Sequence, residues 1–389
     1  MSPEKFSRRT ALSLPLIAGL MLAGCAAEPV AAKQVTPPRP DPKPAEPDPV
    51  ELPEPVSLLL VSLARGDQVA IVDPARDDPE QAVRVITAGA APWGVGVHEG
   101  TGYAATAEGL AVVDLARGER TGLVPYLHPT SERSTGEYRP GGLGLAVSPD
   151  GSRVYVAVTA GDGSFFLEVY DTDRAEFVGS APVGLRPFDV LVDPDGAWAA
   201  TIDHDSFTVS VVDADTLAVT QHEIAPFGTE GGLASWEKPH YGAVDTAVGA
   251  NYGSILLPYQ GEVVVRLDPV KGATSEIASA ANSHAHGATL AGTELLTVGT
   301  GSFGSATGVP NLSILDLNSG EERVVPLRVP HETVAVWRDA AGRDFAAVAG
   351  GNTRDAGWNG LTLVALDDLS VREIALPGYP QAVVAFARS

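Results

Sequence analysis

Residues Arg186–Asp213, RPFDVLVDPDGAWAATIDHDSFTVSVVD, hold most of one unit of a repeat from which the architecture can be read. A Pro-containing phrase opens into the apolar run FDVLV, and DPDG turns the chain. A small and β-branched run from Ala197 to Ile202 follows, and after a second turn the alternation VSVVD ends in Asp213. Period-two alternation bounded by Asp, Pro and Gly is the pattern of short strands joined by tight turns. The closing phrase recurs as VAIVD to Asp73, LAVVD to Asp114, LEVYD to Asp171, VVVRLD to Asp268, LSILD to Asp316 and LTLVALD to Asp367. The opening phrase recurs as APWGVGV from Ala91, GGLGLAV from Gly141, KPHYGAV from Lys238, HAHGATL from His284, VPHETVAV from Val329 and YPQAVVAF from Tyr379. The acidic markers lie 41, 57, 42, 55, 48 and 51 residues apart. Four short strands in each of seven periods predict an all-β, seven-bladed β-propeller.

The two ends of the repeat region complement each other. The strand from Leu58 to Ser62 lacks an opening phrase, whereas Gln381 to Phe386 is an opening phrase with nothing after it. One blade is therefore expected to be closed by N- and C-terminal strands, with the C-terminal strand innermost, which removes exposed sheet edges. Forty-two glycines and thirty-one prolines among 389 residues supply the turns. The aspartates that end the closing phrases read as turn-stabilising residues, because they recur in every blade.

Residues 1–24 read as a lipoprotein signal peptide. Lys5, Arg8 and Arg9 precede an apolar stretch from Ala11 to Leu22 that is too short to span a bilayer, and Leu22-Ala23-Gly24-Cys25 has the form of a lipobox. Ser7-Arg8-Arg9-Thr10 is equally compatible with twin-arginine and general export. Cys25 is the expected lipidation site and the only cysteine, so disulfides, cysteine zinc sites and thiol catalysis are excluded from the mature domain. Residues 25–56 carry ten prolines and form an expected extended tether, reaching about 95 Å at about 3.1 Å per residue. Residues 57–389 form the propeller. The expected location is extracytoplasmic, held to the membrane through the lipid. The formal charge is −23; the leader contributes three bases and one acid, so its removal leaves −25. Such a surface repels nucleic acid and attracts cations.

Aligning the opening phrases places Trp93, Leu143, Phe188, His240, His286, His331 and Gln381 at equivalent positions around the central channel. Three consecutive positions carry imidazole. Three neutral imidazoles converging from adjacent strands suit Zn²⁺, and also Cu²⁺. His284 is an alternative or fourth ligand, and Glu332 and Asp245 are possible additional ones. Each histidine has an ordinary alternative as a hydrogen-bonding residue at the start of its strand. Long segments at Leu123–Arg139, 225–237, Gly301–Pro310 and 350–359 are expected at the same mouth of the channel, a placement that favours a binding site. Trp93, Phe188, Trp236, Tyr241, Trp358 and Gln381 are candidates for its wall. Asp203-His204-Asp205, in a loop on that face, reads as an outer metal-capture cluster or as an Asp-rich turn. No HExxH, GxSxG or phosphate-binding glycine loop is present.

The recurring Pro-x-x-Val-x-Val, Pro-Asp-Gly and Val-x-Val-Val-Asp phrases make residues 57–389 resemble the YVTN or YncE-type seven-bladed propellers. Pro239-His240-Tyr241-Gly242 and Ala285-His286-Gly287-Ala288 resemble channel motifs of the AztD group, periplasmic zinc metallochaperones that serve ABC importers. That resemblance implies zinc at His240 and His286, with His331 a third candidate, and a metal importer or other envelope protein as partner. The chain departs from the group in lacking a histidine-rich loop and in carrying a lipid-anchor signal. The expectation is a lipid-anchored, non-enzymatic propeller that captures or delivers zinc. A metal-dependent oxidase or lactonase-like enzyme using the same channel, or an interaction scaffold with an empty channel, are the alternatives.

Overall fold

The computed structural model describes residues 57–224, 239–259, 263–280, 287–303, 308–350 and 358–387. They form seven four-stranded antiparallel sheets. From the innermost strand outward, blade 1 comprises Val95–His98, Thr101–Ala105, Leu110–Asp114 and Glu119–Val124. Blade 2 comprises Gly141–Val147, Arg153–Thr159, Phe165–Asp171 and Glu176–Pro182, and blade 3 Pro187–Val192, Trp198–Asp203, Thr208–Asp213 and Val219–Glu223. Blade 4 follows with Ala243–Val244, Ile255–Tyr259, Val263–Leu267 and Thr274–Ala278, and blade 5 with Gly287–Ala291, Glu294–Gly299, Asn311–Asp316 and Glu322–Pro326. Blade 6 is built from Thr333–Arg338, Asp344–Ala349, Gly360–Ala365 and Val371–Ala375. Blade 7 takes its innermost strand, Pro380–Ala387, from the C-terminal end and the other three, Ser57–Leu63, Gln68–Val72 and Val83–Thr87, from the start of the domain. The closure expected from the chain ends is present as the pairing of Leu59, Leu60 and Val61 with Ala385, Val384 and Val383.

Blade-to-blade burial explains the sequence pattern. A strand covered on both faces needs apolar or small residues throughout, and Trp198–Asp203 is buried at every position. The outermost strand of the same blade, Val219–Glu223, is largely exposed and polar. Each adjacent pair of blades shares a buried apolar cluster. Tyr103, Leu110 and Val156 join blades 1 and 2, for example, and Ile202, Val209 and Leu257 join blades 3 and 4. The aspartates after the third strands act as turn acceptors: Asp114 accepts from the Arg117 amide, Asp213 from Thr216, Asp268 from Lys271 and Asp316 from Ser319. These amides hold the carboxyls of Asp213, Asp268 and Asp316 below the usual range, helped at Asp268 first by Lys271.

Two backbone features shape the channel. The innermost strands touch main chain to main chain: the Gly94 amide donates to the Leu143 carbonyl at 2.9 Å. A side chain at Gly94 would meet that oxygen at 2.5 Å, and one at Gly144 would meet Asp189 Cα at 2.7 Å, so only glycine allows the approach. Three opening phrases also place a left-handed residue before their proline: Ala91 (φ 46°), Arg186 (φ 59°) and Tyr379 (φ 62°). Such strain persists only where partners over-determine it. Asp67 takes the Ala91 amide at 2.9 Å, and Asn359 takes the Tyr379 amide at 3.0 Å. Val329, before Pro330, is not in this group, consistent with the high cost of that conformation for a β-branched residue.

Candidate functional site

The ring of equivalent positions divides into an apolar and a polar arc. Trp93, Leu143 and Phe188 converge with Ala64 and Tyr379 in one buried cluster. On the other side Gln381 is fully buried and donates from Nε2 to Glu332 at 2.8 Å, while Thr333 donates its hydroxyl to the Gln381 carbonyl at 2.7 Å. His240 and His331, equivalent by repeat position, are both buried but have different neighbours.

His240 packs against the preceding blade. Its ring centroid lies 4.9 Å from that of Phe188 and 4.0 Å from that of His204, with the two imidazoles tilted by 38°. His204 follows the second strand of blade 3 and is 1% exposed. Its Nδ1 bonds the Asp205 carboxylate at 2.8 Å, and Asp205 in turn pairs with Arg186 at 3.1 Å. An ionised carboxylate accepts only, so against it Nδ1 carries a proton, and in a neutral ring the lone pair is then on Nε2. Carboxylate–imidazole pairs of this kind orient metal-ligating histidines. Asp203 is not part of that arrangement. It is turned inward, accepting from Thr201 at 2.6 Å, Ser210 at 2.5 Å and Thr208 at 3.0 Å, and burial pushes its carboxyl up to about 6.

His204 is the partner that spacing within the repeat did not single out. Its signal is topological: the loop joining the second and third strands of one blade flanks the loop leading into the next blade's innermost strand. A histidine at the first place therefore meets one at the second.

His331 turns into its own blade. Nδ1 bonds the Gly350 carbonyl at 3.1 Å and Nε2 bonds the Thr362 hydroxyl at 2.8 Å, a pattern in which the neutral ring donates once and accepts once. Trp358 stands edge-on at 5.5 Å, and Arg328, paired with Glu373 through two bonds of 2.8 Å, lies over the Trp358 ring. Burial lowers the His331 imidazole to about 4. Ligating a metal would require the ring to give up one of its two hydrogen bonds.

The remaining candidates are dispersed. Asp245 follows the exit end of the blade 4 innermost strand, where it pairs with Arg266 at 3.3 Å and accepts the Ala247 amide. His284, His286 and Trp236 lie outside the described residues. Among the described residues, no group of three or more His, Cys, Asp or Glu side chains is placed to hold a metal ion. Glu168, fully buried, anchors the long Leu123–Arg139 segment by accepting from the Leu127 and His128 amides and the His128 ring.

On the channel axis is a cavity of about 210 Å³ to which all seven blades contribute; Trp93, Phe188, Asp189 and Tyr241 are among its walls. Asp189 accepts from the Val190 amide at 2.9 Å and the Gly242 amide at 3.1 Å, yet burial raises its carboxyl to about 7. The Tyr241 hydroxyl is pushed well above its ordinary range, by burial first and then by Glu332, Asp189 and Glu137. Arg139, a buried cation, donates instead to the carbonyls of Ala91 and Gly142 at 2.8 and 2.5 Å.

No protein family model and no curated protein matches the chain. Among solved structures, it is similar to Kuenenia stuttgartiensis hydrazine synthase, at 15% identity over 76% of this chain and 92% of that chain, with a TM-score of 0.52. It is also similar to a functionally unknown protein from Desulfotomaculum acetoxidans, at 10% identity over 85% of this chain and 99% of that chain, with a TM-score of 0.58. At these identities the likeness is one of fold, and it agrees with the seven-bladed propeller.

Proposed function

We propose that the chain is an extracytoplasmic, lipid-anchored propeller that binds a transition metal, Zn²⁺ before Cu²⁺, at the mouth of its channel, and captures or delivers that ion for an envelope partner such as an ABC-type importer. The observation that carries this reading is the His204–His240 pair, two buried imidazoles with centroids 4.0 Å apart, one of them oriented by a carboxylate. His286, from the resemblance to zinc chaperones, and His284, from its place in the same opening phrase, are the expected further ligands. His331 then serves the fold of blade 6 rather than the metal. The lipobox at Cys25 and the acidic composition are consistent with cation capture at a membrane surface. Neutral imidazoles are required, so occupancy falls as pH drops below about 6.5.

The test is zinc titration of the domain beginning at Cys25, in competition with a chromogenic chelator, in wild type and in His204→Ala, His240→Ala, His286→Ala and His331→Ala. Stoichiometric binding at pH 7.5 that is lost in the first three and kept in the fourth is expected. A wild-type domain that takes up no metal sinks the proposal and leaves the scaffold reading. That alternative draws on one observation, the full hydrogen bonding of His331 within its own blade.

A further inference from the structure

We propose that the axial cavity is a second site, which takes a small organic ammonium ion with Asp189 as counter-ion and Trp93, Phe188 and Tyr241 as aromatic walls. The composition of the cavity, independently of the histidines, points to this ligand. Among the described residues of its lining, Asp189 is the one carboxylate, and no Lys, Arg or His is present. Among the described residues no cation pairs with Asp189; its hydrogen bonds come from two backbone amides, one to each oxygen. A half-buried carboxylate in that position attracts a positive ligand, since each oxygen retains a second lone pair for an N–H donor or a close N-methyl group.

Three aromatic rings line the same space, and their negative faces favour cations, alkylated ammonium above all. Leu145 and Val334 add apolar surface suited to alkyl substituents. A bare metal ion fits less well, because a hard cation needs six or so oxygen ligands and the described residues of the lining supply a single carboxylate. Anions are disfavoured by Asp189 and by Glu332 and Glu137, which also act on the Tyr241 hydroxyl. A volume of about 210 Å³ matches a ligand of several to about ten non-hydrogen atoms, below the size of a typical drug pocket.

Calorimetric titration of the metal-free domain at pH 8 with choline, and with its uncharged isostere 3,3-dimethylbutan-1-ol, tests the proposal. Choline is expected to bind with one site per chain, at least tenfold more tightly than the alcohol, and Asp189→Asn is expected to remove that preference. Tryptophan fluorescence should report choline binding in wild type and lose the response in Trp93→Leu. Equal binding of choline and the alcohol by the wild-type domain overturns the proposal without any variant having to fold, as does the absence of binding by either. Choline binding unchanged in a folded Asp189→Asn variant overturns it as well.

Discussion

His240 and His331 occupy the same place in the repeat and have opposite surroundings. The ring of His240 faces another imidazole and a phenyl ring from blade 3, whereas His331 is held inside blade 6 by a carbonyl and a hydroxyl. Equivalent positions in a propeller thus share backbone location without sharing chemistry. What a side chain does there depends on the loops of its own and the preceding blade. At blade 3 the flanking loop offers His204; at blade 6 the space beside His331 is filled by Gly350, Thr362 and Trp358.

The largest difference should appear in metal binding. His240→Ala and His204→Ala are each expected to weaken zinc affinity by more than about a hundredfold, beyond the effect typical of an outer-shell change. His331→Ala should leave affinity within about threefold, on the central tendency for a residue outside the ligand set. Comparable losses in all three, measured by chelator competition, would break the distinction.

Acid stability comes next. The folded-state His331 lies near 4, below the ordinary value of 6.5 for the unfolded chain. Its contribution is therefore complete above pH 6.5 and is lost as pH falls toward 4, amounting to about 2–3 kcal/mol by pH 4.5. Urea unfolding at pH 7.5 and 4.5 should show this decline in wild type and a shallower one in His331→Gln. Asp189 and Asp203 titrate in the opposite sense. Their raised folded values favour the native state at low pH and cost stability as pH rises toward 6 to 7, so the comparison between wild type and variant isolates His331.

A smaller effect sharpens the His204 side. Asp205→Asn should keep the fold but weaken zinc by about tenfold, since it removes the ionised acceptor that sets the imidazole tautomer. The smallest concerns the His331 hydrogen bond. Thr362→Val should cost about 1–2 kcal/mol in unfolding free energy, as buried Nε2 loses its donor, with no change in zinc affinity.

Much of the fold was legible along the chain because propeller strands are local. Each hairpin is specified by its own alternation and turn residues, and the role of Asp114, Asp213, Asp268 and Asp316 follows from their recurrence. Closure was legible too, since the unmatched strand at Ser57–Leu63 and the unmatched phrase at Pro380 need each other. The histidines were legible only as positions on a ring. Even the backbone set-up of their phrases varies: Ala91, Arg186 and Tyr379 turn left-handed before proline and Val329 does not.

Periodicity and composition along the chain carry the seven-bladed repeat, the acidic net charge and the alignment of the opening phrases. Contacts between blades and loops are what bring His204 to His240, satisfy His331 within its blade, and set Asp189 in an aromatic cavity where, among the described residues, no cation pairs with it. Side-chain direction and desolvation depend on neighbours from other blades and loops, and those neighbours are set by packing rather than by spacing.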